Sequence, residues 1–219
     1  LFLFLLIIIF SRTISSQNWQ DITSIEDVCS AYPERITTMF GEYNLNYPGL
    51  EKVKKAFGNG NLENACTQLL EYYKNSNNAL HLRKSQPEKT KNTKALAETI
   101  LDNVFVIQNV RGQVPYGDDG HRDWYYKGPN NDEEWAWLSN RHSQLSKVLS
   151  TYFETGNPKY AEYIDLFLRD FIIKSMPYPA VKSNTSVWRG LEVAARTKVW
   201  SRIFYGLLNS DYLSSATQL

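Results

Sequence analysis

The stretch 132–171, "DEEWAWLSNRHSQLSKVLSTYFETGNPKYAEYIDLFLRDF", decides the fold class. In its first part Trp135, Leu138, His142, Leu145, Leu149 and Tyr152 advance by threes and fours. At about 100° per residue they fall on one stripe of an α-helix, so 132–155 reads as a single amphipathic helix. "TGNP" at 155–158 then interrupts with glycine, asparagine and proline, and helical spacing resumes over 158–175. Two helices across so short a turn make an antiparallel hairpin. The same spacing recurs at 24–42, 48–57, 61–75, 91–103 and 188–208, separated by "NYPG" (46–49), "GNGN" (58–61) and "MPYP" (176–179). The expectation is an all-α array of helical hairpins. "VFVIQNV" at 104–110 is the one strand-like run, with a buried helix end as its equal alternative.

With 219 residues, 42% of them hydrophobic, the chain is long enough for one sizeable domain and too apolar to be disordered. A formal net charge of +1 gives no global field of the kind that draws a protein to nucleic acid or an anionic membrane, so partner arguments are local. At the front, "LFLFLLIIIF" is shorter than the roughly 20 residues of a membrane span and is followed by the small, polar "SRTISSQ". This reads as a signal peptide over 1–16, cut short at its start, with the mature chain near Gln17, secreted or periplasmic and without membrane attachment. A single-pass anchor is the competing reading. Residues 17–44 form an N-terminal extension and 45–219 the main helical domain. Without an obvious closing element after "DYLSSATQL", the polypeptide is expected to continue past Leu219. In an oxidising compartment Cys29 and Cys66 pair or stay as two buried thiols, and both readings stand. "NTS" at Asn184 is the only glycosylation sequon.

Two irregular segments interrupt the helices. "RKSQPEKTKNTK" at 83–94 sets Arg83, Lys84, Lys89, Lys91 and Lys94 against Glu88 and reads as a solvated linker. "RGQVPYGDDGHRDWYYKGPNND" at 111–132 is aromatic and polar, and a loop of that length in a compact domain is more often functional than idle.

The helix faces next to these segments carry the candidate site. Trp137, Asn140, Arg141 and Gln144 lie beside the apolar stripe of 132–155. An indole next to an amide and a guanidinium suits a carbohydrate, offering a platform for a pyranose and donors for hydroxyl, carboxylate or sulfate. The structural alternative is Arg141 stacked on Trp137 as a cation–π pair. His142, within the stripe, reads as a buried neutral imidazole, with no second ligand at metal spacing. In "WRGLEVAARTKVW" (188–200), Trp188, Leu191, Ala195 and Val199 form the apolar stripe, while Arg189, Glu192 and Arg196 line another face, with Glu192 placed to pair with Arg196 four residues on.

A family resemblance enters through an ordered series: Asp123-Trp124, Pro129, "EWAW" (134–137), "NRH" (140–142), "YFETGNPKYAEYI" (152–164), "RDF" (169–171) and "WRGLEVAAR" (188–196). Over residues 45–210 it resembles the N-terminal domain of heparinase II/III-type polysaccharide lyases, on the heparinase III side, although "RDF" stands where the family usually carries Asp-Trp. The resemblance implies an incomplete α/α toroid followed by a β-sandwich, and β-elimination at a uronic acid of an acidic polysaccharide. No metal or cofactor is expected, since no second His or Cys stands at ligand spacing to His142. The neutralising Asn or His and the catalytic Tyr and His of that family match no position of this chain and are expected beyond Leu219. What carries over is the cleft wall: Tyr116, Asp123, Trp124, Trp137, Asn140, Arg141, Arg189 and Arg196 as substrate contacts.

Two rival readings remain. "GNLENACTQLLEYY" and "GNPKYAEYIDLFLRDF" resemble tetratricopeptide helices, a protein-binding scaffold, but Asn61 and Asn157 are 96 residues apart, not a multiple of a repeat of about 34. A glycoside hydrolase on a similar toroid would need two carboxylates, for which Asp123 and Glu133 are the candidates.

Overall fold

The structure, a computed structural model, describes residues 18–84 and 93–219. The expected signal segment 1–16 and the middle of the basic stretch, with Lys89 and Lys91, lie outside the described residues. A single 3-10 turn, Trp19–Asp21, leads into α1 (Ile25–Ala31), α2 (Pro33–Glu42), α3 (Glu51–Gly58), α4 (Leu62–Asn75), α5 (Leu80–Lys84) and α6 (Thr93–Leu101). The antiparallel hairpin β1 (Val104–Ile107) and β2 (Val110–Gln113) follows, then α7 (Glu133–Ser139), α8 (Leu145–Thr155), α9 (Pro158–Ser175), α10 (Gly190–Leu207) and α11 (Ser215–Gln218). The all-α expectation holds. α3 packs on α4, α8 on α9 and α6 on α8.

Local chemistry sets most of these boundaries. At 155–158, Gly156 takes the left-handed φ of 65° and its N–H caps α8 on the Tyr152 carbonyl (2.8 Å). Asn157 then caps α9 with its side chain, and Pro158 opens the helix where no N–H is needed. α1 begins with a capping box in which Ser24 and Asp27 each accept the other's backbone N–H. The window 24–42 is two helices rather than one, because Pro33 opens α2 and removes the N–H that a continuous helix would need. The strand-like run at 104–110 is the first half of the β-hairpin, turned by Gln108 (φ 48°) and Asn109 (φ 64°), a two-residue loop of the kind that matches strand twist.

Two cores hold the array. Cys29, Ile36, Phe40, Val53, Ala56, Cys66 and Leu69 join α1 to α4. The larger core gathers Phe105, Trp124, Trp135, Leu145, Leu149, Ile164, Phe167, Phe171, Ile203 and Leu207. At about 1.5–3 kcal/mol for each large apolar side chain fully buried, this cluster dominates stability. Trp135 is wedged so tightly that a Cβ on Gly128 would sit 2.6 Å from its ring and one on Gly112 2.9 Å away.

The single helix expected over 132–155 is broken at 140–144. Asn140 and Ser139 turn their side chains back onto the Ala136 carbonyl, Gln144 bonds the Ser139 carbonyl, and His142 adopts a φ of 56°. These side chains compete with the helix ladder. The expected apolar stripe of the last long helix is likewise misplaced. In α10 it is Glu192 and Arg196, with Ile203 and Leu207, that are buried, whereas Leu191 is 58% exposed.

Candidate functional site

Glu192 is the hinge of the site. Its side chain is fully buried and accepts from two arginines that come from different parts of the chain. Arg189, at the N-cap of α10, gives Nε and Nη2 (the latter at 2.7 Å) to the carboxylate; Arg141, in the turn after α7, gives Nε (3.3 Å) and Nη2 (3.2 Å) to Oε1. Burial alone would raise the Glu192 pKa, but the bonds from Arg189 and then Arg141 outweigh it and hold the carboxyl below its usual range. The Arg141 and Arg189 side chains are 31% and 27% exposed, and Glu192 uses neither Nη1. Two guanidiniums share the one buried carboxylate at a half-open surface, and the exposed Glu134 carboxylate also acts on Arg189.

Arg189 lies over the Trp137 ring, with Cζ 3.9 Å from its centroid. The cation–π partner of Trp137 is therefore Arg189 rather than Arg141, and the indole face that Arg189 covers is closed to a sugar. In place of the expected helical pair with Arg196, Glu192 makes a local pair with Arg189 and a tertiary one with Arg141.

Arg196 is 2% exposed and faces inward. It donates to the carbonyls of Asn140 (3.1 Å) and Val187 (2.6 Å) and packs against the rings of Phe171, Trp188 and Trp200. Burial lowers its pKa to about 10, which still leaves it charged at neutral pH. Asn140, 1% exposed, donates through Nδ2 to the Trp124 carbonyl (2.8 Å). Trp124, 7% exposed, meets Phe167 and Phe171 edge-on. Asn140 and Arg196, two of the eight expected contacts, are thus interior residues, while Trp124 is buried yet still forms part of the wall of a cleft with Tyr116 and Asp123. Helical spacing placed Asn140 and Arg196 on outer faces; the break at 140–144 turns Asn140 inward, and the Asn140 and Val187 carbonyls take up Arg196. Together they link the 124 loop, the 140 turn and the 187 segment, and so set where Arg141 and Arg189 stand.

Tyr116 and Asp123 are exposed and line an open cleft with Asp118, Asp119, Tyr125 and Lys174. Trp137, Arg141 and Arg189 are not among its walls. Asp123 accepts the Tyr125 N–H (2.9 Å), and Asp119 contacts Lys174 while capping the His121 N–H, which keeps the Asp119 carboxyl below its usual range. Of the hydrolase candidates, Glu133 is exposed and pairs with Lys127.

Under the cleft lies a charged network that spacing did not bring out. Asp170, fully buried, accepts from His121 Nδ1 (2.6 Å), the Arg122 N–H (3.1 Å) and Arg122 Nη1 (2.9 Å). Arg122 also bonds Asn103 (2.9 Å), and His121 stacks on Trp19 with ring centroids 4.7 Å apart. The signal available in the sequence was a run of charge, "GHRD" at 120–123 and "RD" at 169–170, next to residues that must be buried.

His142 is buried as expected, and Trp135 with it, while Leu138 is half-buried. His142 Nδ1 accepts from Trp200 Nε1 (3.0 Å), so the ring proton sits on Nε2. Burial, then the charges of Arg196 and Arg122, hold its pKa well below the ordinary 6.5. The folded state therefore keeps His142 neutral while the unfolded chain takes up a proton. Its contribution is complete above pH 6.5 and is lost as pH falls, at up to about 1.4 kcal/mol per unit. Urea unfolding at pH 7.5 and 5.5 is expected to show a steeper acid loss for the native sequence than for His142→Asn, a residue that tolerates the positive φ. Equal slopes would rule out a neutral buried imidazole.

Comparison with known proteins places these features. The family described as "Heparinase II/III N-terminus" matches residues 39–218. The chain is 30% identical over 185 residues to a heparin-sulfate lyase of Pedobacter heparinus, covering 81% of this chain and 28% of the relative. It is 29% identical over 168 residues to a heparin-sulfate lyase of Bacteroides thetaiotaomicron, covering 72% and 24%. Among solved structures, a heparinase III with methylated lysines superposes with a TM-score of 0.67 at 27% identity, over 83% of this chain and 30% of that one. The heparan sulfate lyase of Pedobacter heparinus gives 0.63 at 29% identity, over 83% and 29%. The chain spans less than a third of the length of these relatives.

Proposed function

The chain belongs to the heparinase II/III family, whose N-terminal domain it matches over residues 39–218, and from that premise we propose that it is the helical part of a secreted polysaccharide lyase. The substrate would be a uronic-acid-containing glycan of the heparan-sulfate kind, cleaved by β-elimination. A base removes the C5 proton, a polar group neutralises the charge that develops on the carboxylate, and an acid assists departure of the 4-linked sugar. No position here matches the family's groups for those steps, so this chain's share is substrate binding.

The observation that carries the reading is the Glu192-centred clamp. A surface that only needed an ion pair would use one arginine. Here a buried carboxylate fixes two, and Glu192 leaves the Nη1 edge of each unused. Guanidinium edges suit sulfate and carboxylate oxygens in geometry as well as charge. Arg141 and Arg189 are the proposed contacts to the anionic groups, while Tyr116 and Asp123 offer an aromatic ring and acceptors to the hydroxyls of the same chain. Trp137 stiffens Arg189, and Asn140, Arg196 and Trp124 hold the backbone around the pair. Among the described residues no helix is long and apolar enough to cross a membrane.

The full-length protein is expected to raise ultraviolet absorbance on heparan sulfate through unsaturated uronate, whereas a polypeptide ending at Leu219 should not. New reducing ends without unsaturation would point to hydrolysis and sink the lyase reading, and turnover by the shorter polypeptide would overturn the division of labour.

A further inference from the structure

We propose that Cys29 and Cys66 form a disulfide that fastens α1 to α4. The two thiols face each other across the smaller core, with Sγ atoms 3.8 Å apart and exposures of 7% and 0%. Both are free in the structure. A bond of about 2.05 Å requires an approach of roughly 1.8 Å, within reach of side-chain rotation and a small helix shift. They share a core with Ile36, Phe40, Val53 and Leu69, Glu63 is the one carboxylate that acts on both thiols, and among the described residues no three His, Cys, Asp or Glu groups gather to hold a metal. Cross-linking is the chemistry this pair can perform.

α1 is also the element that gains most. It is seven residues long, with Cys29 its one buried residue and Ile25 and Val28 half-buried against the same core, so a covalent link would add to a small packed face. The bond would close a loop across 37 residues of sequence, in the range where constraint of the unfolded chain is large.

Burial pushes both thiols above their ordinary values and screens them from oxidants. Exchange therefore takes place while the chain is unfolded or α1 is locally open. One thiolate attacks a low-molecular-weight disulfide such as oxidised glutathione, giving a mixed disulfide and one glutathione thiolate. The second cysteine, deprotonated, attacks the protein sulfur of that mixed disulfide and releases the second glutathione. The protein loses two electrons and two protons, and the glutathione disulfide takes up both electrons.

The test is to fold the full-length protein in a glutathione redox couple, alkylate under denaturing conditions and map peptides without reduction. The expected result is a linked peptide pair holding Cys29 and Cys66, lighter by two hydrogens than the reduced pair, and a melting temperature that drops by about 5–10 °C on adding excess reductant. In Cys66→Ser that sensitivity to reductant should shrink by the same amount. Alkylation of both cysteines, their appearance in intermolecular dimers, or a Cys29–Cys66 bond whose reduction leaves the melt unchanged would each overturn the proposal.

Discussion

Asp170→Ala is expected to cost about 3–5 kcal/mol of stability, the scale for leaving a buried charge without its partner. Asp170 is fully buried and is the acceptor for both Arg122 and His121, while Arg122 itself is 2% exposed and lies between Phe167 (4.9 Å) and Tyr163 (5.4 Å). Without the carboxylate, the guanidinium keeps one side-chain bond, to Asn103, in a setting of aromatic rings that cannot replace hydration. For a chain of this length the loss corresponds to roughly 8–15 °C in melting temperature. Asp170→Asn, which keeps an acceptor but not the charge, should fall in between. A melt of Asp170→Ala within about 2 °C of the native protein would mean that Arg122 finds another way to solvent. The same substitution should loosen the cleft containing Tyr116 and Asp123, because the backbone N–H of Arg122 is tied to the same carboxylate.

In the lyase proposed above, Arg141→Ala should lower kcat/KM for an anionic oligosaccharide by about 1.5–3 kcal/mol, roughly 10- to 150-fold, with little change in melting temperature. The asymmetry comes from the clamp. Glu192 retains Arg189 when Arg141 is lost, so the buried carboxylate is not orphaned, whereas the substrate loses a charge-assisted donor. Arg141→Lys should recover only part of the activity, since an ammonium cannot bond Glu192 and an outside anion in one plane. If Arg141→Ala lowers the melting temperature and leaves the kinetics untouched, the arginine is a strut between α7 and α10 and the glycan-contact reading fails.

How the sequence and the structure divide the explanation is plainest at three places. At 155–158, glycine, asparagine and proline each act through their own backbone, so the turn between α8 and α9 was legible from four letters, and with it the hairpin and the all-α class. At 140–144 the same style of reading failed. Asn140, Ser139 and Gln144 are compatible with a helix by propensity, and only their bonds to the Ala136, Ser139 and Trp124 carbonyls end it. Once it ends, a constant rotation per residue no longer says which side chains face out. In α10 the periodicity was right and its polarity inverted. Leu191 is exposed and Glu192 and Arg196 are buried, because partners from distant segments, Arg141, the Asn140 carbonyl and the Phe171 ring, meet that face.

The sequence by itself determined the all-α class, the turn and caps at 155–158 with the hairpin they make, a core stripe holding Trp135 and His142, and through an ordered set of short motifs the family. Tertiary structure alone decided which arginine stacks on Trp137, which carboxylate holds Arg141, and which of the expected contacts reach solvent. Those outcomes turn on pairs 16 to 56 residues apart, such as Trp124 with Asn140, Arg141 with Glu192 and Asn140 with Arg196. A buried charge is stable wherever the fold delivers its partner, and no local pattern records that address.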